Sequence, residues 1–182
     1  MLLSTDIQFL LSAPQAGGGY LKPGSPGNSL GLYVSTTQLS GTPMDNLFTD
    51  LGGAQNAADQ VDYACVFIFN NNKTGNTMLD VTAWLPSADL GVDNGATFAI
   101  GADPTPPSVL GSSIAQAVAI QNPVMAPAGV SSWSAPTSTS VGGVPIPNIA
   151  PGYVAAVWIR RTANGQGGLN SFVVEVTCDT LG

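Results

Sequence analysis

The chain has 182 residues, which suits one domain with a substantial core. Charged residues make up only 8% of it, against about 25% in an average soluble protein, so its surface is poorly protected against association with other chains. The net charge of -7 and the count of 4 cations argue against nucleic acid and anionic membranes as partners, because phosphate binding needs clustered Lys and Arg. The lack of histidine removes Ser-His-Asp and Cys-His catalysis and most zinc sites.

The first sixty residues are dense in turn-forming residues. Residues 1–16 include an apolar run, but no cation precedes it and Asp6 interrupts it, so we expect a mature N-terminal segment and not a signal peptide. Between residues 13 and 60, Gly, Pro, Ser and Asn break both helices and long strands. We therefore predict an N-terminal arm with loops over residues 1–60 and a β-domain over residues 61–182. No stretch approaches the roughly 18 apolar residues of a membrane-spanning helix, and we expect a soluble protein.

Residue 61 begins a pattern that is typical of strands. In VDYACVFIFNN (61–71) both alternating sets are apolar, which predicts a central strand buried on both faces. MLDVTAWLP (78–86) has its odd-numbered positions inward, and we predict a hairpin between these two strands. Asp93-Asn94-Gly95 predicts a tight turn before a further strand in ATFAIG (96–101).

Further strands are predicted towards the C-terminus. SIAQAVAIQN (113–122) is short and alternating, which favours a strand over a helix, and VSSWSAP (130–136) carries the proline of an edge strand. GYVAAVWIRRT (152–162) and NSFVVEVTCDT (170–180) predict two strong strands, the second with its even-numbered residues inward. Together these short strands predict an all-β fold, an antiparallel β-sandwich of the jelly-roll or Ig-like type with an extended Gly/Pro-rich N-terminal arm.

The sequence predicts no catalytic, cofactor-binding or metal site. Glu175 is the only glutamate and falls in the outward register of its strand, so solvation explains it. Asp89, Asp93 and Asp103 could surround a calcium ion, but their spacing matches no calcium loop and Asp93 already has a role in the turn. The glycine clusters lack the strand-Gly-helix context and the lysine of a phosphate-binding loop.

Two cysteines, Cys65 and Cys178, lie far apart in the sequence. Two cysteines do not make a disulfide framework, and we expect two buried free thiols. A bridge from an early strand to the last strand is the alternative.

Arg160 and Arg161 hold half of the cations of the chain and follow Trp158 closely. Adjacent residues of a strand point to opposite faces, so Trp158 and Arg160 should share one face and Arg161 the other. One interpretation is structural, with one arginine over an aromatic ring or paired with an aspartate and the other solvated. The other is an interface anchor, because arginine is enriched in contacts between subunits. Trp133, in a Ser-rich loop, is the best candidate for an exposed ring.

Four strings, taken in order, resemble virion structural proteins of tailed bacteriophages that decorate or cement the capsid. They are LFTDLGGAQNAADQVDYACVFIFNN (47–71), APAGVSSWSAP (126–136), NIAPGYVAAVWIRRT (148–162) and VVEVTCDT (173–180). The resemblance covers about residues 45–180. It implies a non-enzymatic, β-rich particle protein without cofactors, assembled in the host cytoplasm and exposed on the capsid surface. The implied partners are the major capsid protein and further copies of this chain, with a trimer as one option.

Two other functions compete with capsid decoration. The first is a phage tail, fibre or baseplate module that binds a host glycan with Trp133 and neighbouring loops. The second is a secreted carbohydrate-active enzyme, which the missing histidine and the lone glutamate disfavour. The candidate interface residues are Leu47, Phe48, Trp133, Trp158, Arg160 and Arg161.

Overall fold

A computed structural model of the chain describes residues 2–13, 22–41, 46–86, 96–164 and 172–180. Within these ranges the fold is mostly β, with two antiparallel sheets, one short α-helix and two 3-10 helices, Ser4–Asp6 and Ser140–Gly142, which confirms the predicted all-β antiparallel class. The turn predicted at Asp93-Asn94-Gly95 lies outside the described residues. The elements are β1 (Ile7–Ser12), β2 (Val34–Gln38), α1 (Gly53–Ala57), β3 (Val61–Asn70), β4 (Met78–Trp84), β5 (Ala96–Ala102), β6 (Ser108–Val109), β7 (Val144–Pro145), β8 (Tyr153–Ala163) and β9 (Glu175–Thr180).

The larger sheet has the strand order β2-β1-β3-β8-β5, and β6 also pairs with β8. β3 lies at its centre, antiparallel to both β1 and β8. Val66, Phe67 and Ile68 are fully buried although they point alternately to both faces. The prediction of a central strand buried on two sides is therefore confirmed, because each of its apolar sets enters a different core cluster.

The smaller sheet has the order β7-β4-β9. The predicted hairpin between β3 and β4 is therefore wrong, because β4 pairs with β7 and β9 while β1 and β8 occupy both edges of β3. The chain crosses from one sheet to the other through residues 71–77. Asn72 holds this connection in shape, since its side-chain oxygen accepts the backbone N–H groups of Thr74 and Asn76, each at 2.9 Å.

A β-bulge in β4 changes which residues face the core. The register with β9 shifts between Leu79 and Thr82, and Asp80 has a positive φ of 48°. An extra residue at this point reverses the alternation, so Met78 before the bulge and Val81 after it are both buried. The prediction that Leu79 belongs to the inward set is corrected by this bulge, because Leu79 is only half-buried.

The two sheets pack through one core cluster, to which β3, β4, β5, β7 and β8 contribute buried side chains. From β9 the partly buried residues are those with even numbers, as the sequence predicted, and they alternate strictly with exposed ones. A second cluster covers the opposite face of the larger sheet. It is closed by residues 116–120, which bury Ala117 and Ile120 there.

Two predicted strands are irregular segments in the structure. Residues 113–122 form no strand, and their only ladder contact is an isolated bridge between Ala119 and Gly31. Their apolar alternation serves to cover a sheet face, which explains the wrong prediction. Residues 130–136 do lie at the edge of the larger sheet, but only Ser134 bridges to Ile100 of β5.

The region predicted as an N-terminal arm contains two strands of the larger sheet. β1 pairs with β3 from Ile7↔Asn70 to Leu11↔Val66, and β2 pairs with β1. The apolar run that resembled a leader segment is thus an interior strand, with Leu10 and Leu11 buried. The remaining described parts of residues 1–60 are loops, turns and α1.

Candidate functional site

The candidate site lies at the end of β8 where the two arginines follow one another. In the ladder with β3, Arg161 lies opposite Asp62 and Arg160 lies opposite Tyr63. Arg161 contacts Phe48, which belongs to the core between the sheets. Arg160 contacts Trp133, which packs against the second cluster. The prediction that adjacent arginines face opposite sides is confirmed. The two side chains therefore have different environments.

Arg161 is buried in an ion pair. Its Nη2 lies 2.7 Å from Oδ2 of Asp62, and the side chains of the two residues are only 8% and 4% exposed. Its Nη1 donates to the backbone oxygen of Thr49 at 2.8 Å, and its guanidinium carbon lies 4.6 Å from the ring centroid of Phe48. The other carboxylate oxygen of Asp62 accepts from Nε2 of Gln60 at 2.6 Å. The pair thus joins β3 and β8 to the 47–49 segment.

Arg160 takes part in a surface cluster with two aromatic rings. Its guanidinium carbon lies 5.1 Å from the ring centroid of Trp133, and that ring lies 5.6 Å from the ring of Tyr63. All three side chains are partly exposed. We call Tyr63, Trp133 and Arg160 the arginine-aromatic cluster. Such a stack holds each side chain in one orientation through cation–π and ring contacts.

Exposed apolar side chains belong to the loop that packs on this cluster. The backbone N–H of Tyr63 donates to the oxygen of Pro123 at 2.7 Å. The next two residues, Val124 and Met125, are 55% and 46% exposed. The cluster and these two side chains together form a surface that contains aromatic, aliphatic and cationic groups.

Gly101 allows the Trp133 loop to approach the larger sheet. Gly101 lies opposite Trp158 in the ladder between β5 and β8. A Cβ atom at this position would come 2.6 Å from Cγ1 of Val130 and 3.3 Å from Cε3 of Trp133. Trp133 can therefore lie close to β5 and reach Arg160 only because residue 101 has no side chain.

The other predicted interface residues belong to the interior of the chain. Leu47 and Trp158 are fully buried, and Phe48 packs in the core against the rings of Phe98 and Phe172. These residues stabilise the fold. Only Trp133 and Arg160 of the predicted set combine exposed surface with a contact at the edge of the fold.

Trp158 also has a polar partner in the interior. Its Nε1 donates to Oδ2 of Asp103 at 2.8 Å. The same carboxylate accepts the backbone N–H groups of Thr105 at 2.8 Å and Val118 at 3.0 Å. Asp103, which the sequence offered as a weak calcium ligand, is therefore satisfied by three N–H donors, and it ties β5 and β8 to the segment that covers them.

A cleft of about 290 Å³ opens beside the Asp62–Arg161 pair. Sequence reasoning missed it, because its amide side chains fall in turn-rich segments without any periodic pattern. Its lining includes Phe48, Thr49, Gln55, Gln60, Tyr63, Asn122, Pro123 and Val124.

Both cysteines are free thiols, as the sequence predicted, but the expected burial holds only for Cys65, since Cys178 is partly exposed. Burial raises the pKa of the Cys65 thiol well above its ordinary value, and the negative charge of Asp103 adds to this rise. Burial and the charge of Asp179 raise the pKa of Cys178, which is only partly buried. Both thiols are therefore kept protonated near neutral pH, and only Cys178 is partly accessible to a reagent.

The described part of the chain holds neither a metal-binding cluster nor a membrane-spanning helix. It contains no group of three His, Cys, Asp or Glu residues that could hold a metal ion. Asp89 and Asp93 lie outside it. Among the same residues, no helix has the length and the apolar character needed to cross a membrane.

Comparison with known proteins provides no relative for this chain. No protein-family model matches it, and neither a curated protein nor a solved structure is significantly similar to it.

Proposed function

We propose that this chain is a non-enzymatic structural protein of a tailed-bacteriophage virion, a decoration or cement protein that binds the outside of the capsid and stabilises it. The observation that carries the docking role is the arginine-aromatic cluster beside exposed Val124 and Met125, and the assignment to a phage virion comes from the resemblance over about residues 45–180. Trp, Tyr and Arg are the residue types that contribute most to protein–protein binding, and Met is also enriched there. The partner in this proposal is the major capsid protein.

The side chains of the cluster hold each other in place before any partner binds, which supports a docking role. Each of its side chains already contacts another, so binding a partner would restrict few additional rotamers. Arg160 is the one positive charge of this cluster, whereas the chain as a whole has a net charge of -7. Arg160 can therefore attract a carboxylate of the partner at a point where the rest of the chain would repel one.

The low charge of the whole chain supports the same proposal. With 8% charged residues, the protein carries little of the repulsion that keeps chains apart, which suits a protein that functions in an assembly. The proposal includes homo-oligomerisation, for example as a trimer. It also includes a jelly-roll or Ig-like topology for the sandwich. An extended arm within residues 1–60 would add contact area with the partner. Because β1 and β2 belong to the larger sheet, such an arm would consist of residues outside these two strands.

Cosedimentation with capsids that lack this protein tests the proposal. We expect Trp133→Ala and Arg160→Ala each to weaken capsid binding by about 30-fold or more, the effect of losing a residue worth at least 2 kcal/mol. The matched control is Val109→Ala, which removes an exposed apolar side chain paired with Tyr153 at the opposite end of β8. Circular dichroism checks that all three variants fold. Capsid binding by Trp133→Ala and Arg160→Ala that equals binding by Val109→Ala would refute this docking surface.

A further inference from the structure

The cleft beside the Asp62–Arg161 pair has the charge balance of a site for an uncharged ligand. The cleft lining contains the charges of Asp62 and Arg161, which compensate each other because Oδ2 of Asp62 and Nη2 of Arg161 are 2.7 Å apart. Both terminal nitrogens of Arg161 already donate, one to Asp62 and one to Thr49. The Nε of Arg161 has no hydrogen-bond partner among the described residues, but the guanidinium charge is compensated by Asp62 and no second cation is among the described residues that line the cleft, so a phosphate or carboxylate would meet no net positive charge. An uncharged ligand therefore fits this lining best.

Polar groups on the walls of the cleft have hydrogen-bonding capacity left over. Gln55 uses its Oε1 to accept the N–H of Gly52, and Asn122 uses its Oδ1 to accept the N–H of Val124. Gln60 uses its Nε2 to donate to Asp62. Within the described chain this leaves the amide nitrogens of Gln55 and Asn122 and the amide oxygen of Gln60 without a protein partner. The walls therefore offer donors and an acceptor to the same small volume.

Apolar surface completes the lining. Phe48, Pro123, Val124 and the ring of Tyr63 lie on the same cleft. A volume of about 290 Å³ is at the lower end of the range for small-molecule sites, which leaves room for a single ring and not for a chain of residues. The ligand should therefore be compact, with hydroxyl groups for the amides and C–H groups for the apolar wall.

We propose that this cleft binds one neutral sugar residue. A pyranose ring has hydroxyl groups that donate and accept at once, which matches the free nitrogens of Gln55 and Asn122 and the free oxygen of Gln60. Its C–H face can pack on Tyr63 and Val124. An extended peptide is too long for the cleft, and an anionic sugar would find there only a cation already paired with Asp62. The cleft shares Tyr63 and Val124 with the proposed docking surface, but neither Trp133 nor Arg160 lines it, so variants of those two residues test the docking proposal separately.

Saturation-transfer NMR on the full chain with a panel of methyl glycosides tests the proposal. The panel contains neutral hexosides, N-acetylhexosaminides and a sialoside, and we expect binding of at least one neutral glycoside. Asn122→Asp keeps the oxygen that accepts the N–H of Val124 and removes the donor nitrogen, so it should weaken that binding by about tenfold. Tyr63→Phe, which keeps the ring, should preserve the apolar contact and lose at most a similar factor.

The matched control is Gln121→Glu, which adds the same negative charge on the exposed neighbouring residue outside the cleft. It should bind the glycoside like the parent chain. Three results would each overturn the proposal: no saturation transfer from any neutral glycoside, transfer from the sialoside alone, or equal weakening in Asn122→Asp and Gln121→Glu. Loss of capsid binding in Arg160→Ala with unchanged glycoside binding would show that the two sites are separate.

Discussion

Replacing Arg161 by leucine should destabilise the protein far more than the same replacement of its neighbour Arg160. Arg161→Leu leaves Asp62, whose side chain is 4% exposed, as a buried carboxylate with Gln60 as its remaining donor. Breaking one side of a buried pair costs about 3–5 kcal/mol in the free energy of unfolding. Arg160→Leu removes a partly exposed cation–π contact, which contributes about 0.5–1 kcal/mol. Adjacent positions of one strand should thus differ by about 2–4 kcal/mol.

Urea unfolding monitored by tryptophan fluorescence measures this difference. For a chain of this size, the loss expected for Arg161→Leu corresponds to a fall in Tm of roughly 6–20 °C. The loss should persist in about 1 M salt, because a buried pair is screened much less than a surface pair. The double variant Asp62→Leu/Arg161→Leu removes both charges and should regain much of the stability, since apolar replacements of buried pairs are often neutral.

Two results would refute this reasoning. If Arg161→Leu and Arg160→Leu lower the free energy of unfolding to the same extent within about 0.5 kcal/mol, the size of an ordinary surface effect, the buried pair has no special weight. If the double variant is no more stable than Arg161→Leu, the uncompensated charge of Asp62 is not the cause of the loss. The contact of the guanidinium with Phe48 would then be the main contribution of Arg161.

Two further predictions concern single groups in the interior. Trp158→Phe removes the hydrogen bond to Asp103, and it should lower the free energy of unfolding by about 1.5–3 kcal/mol more than Trp84→Phe does. Trp84 is the control because its buried indole nitrogen has no partner among the described residues. Equal losses in urea unfolding would contradict the role of that hydrogen bond. In the native protein a maleimide should modify Cys178 slowly and Cys65 only after unfolding, because Cys65 is fully buried and its pKa is raised further; mass spectrometry of digested samples would contradict this if Cys65 reacted first.

Local alternation in the sequence was sufficient to predict the burial of several strands. Both apolar sets of VDYACVFIFNN are buried, because every second residue of a strand returns to the same face. The even-numbered residues of β9 face inward for the same reason. The opposite environments of Arg160 and Arg161 also follow from this period of two. These predictions needed no knowledge of which strand lies beside which.

Strand pairing and the cleft depend on contacts between residues that are distant in the sequence. Alternation shows that β3 has two buried faces, but it does not show that β1 occupies the edge that β4 was expected to take. The bulge at Asp80 arises from the register with β9 and leaves no clear signal in the sequence. The amides of Gln55 and Asn122 meet only after the chain has folded, so no local pattern could have identified the cleft.

The adjacency of the two arginines separates stability from binding at neighbouring positions. Position 161 requires the planar fork of arginine, because one side chain must reach both Asp62 and the backbone oxygen of Thr49. Position 160 has no such requirement in the described structure, since its side chain contacts the face of Trp133 and the solvent. A substitution at 160 can therefore change what the surface binds while the buried pair keeps β3 and β8 joined. A strand can combine these two tasks in consecutive residues because its side chains alternate between a sealed face and an open one.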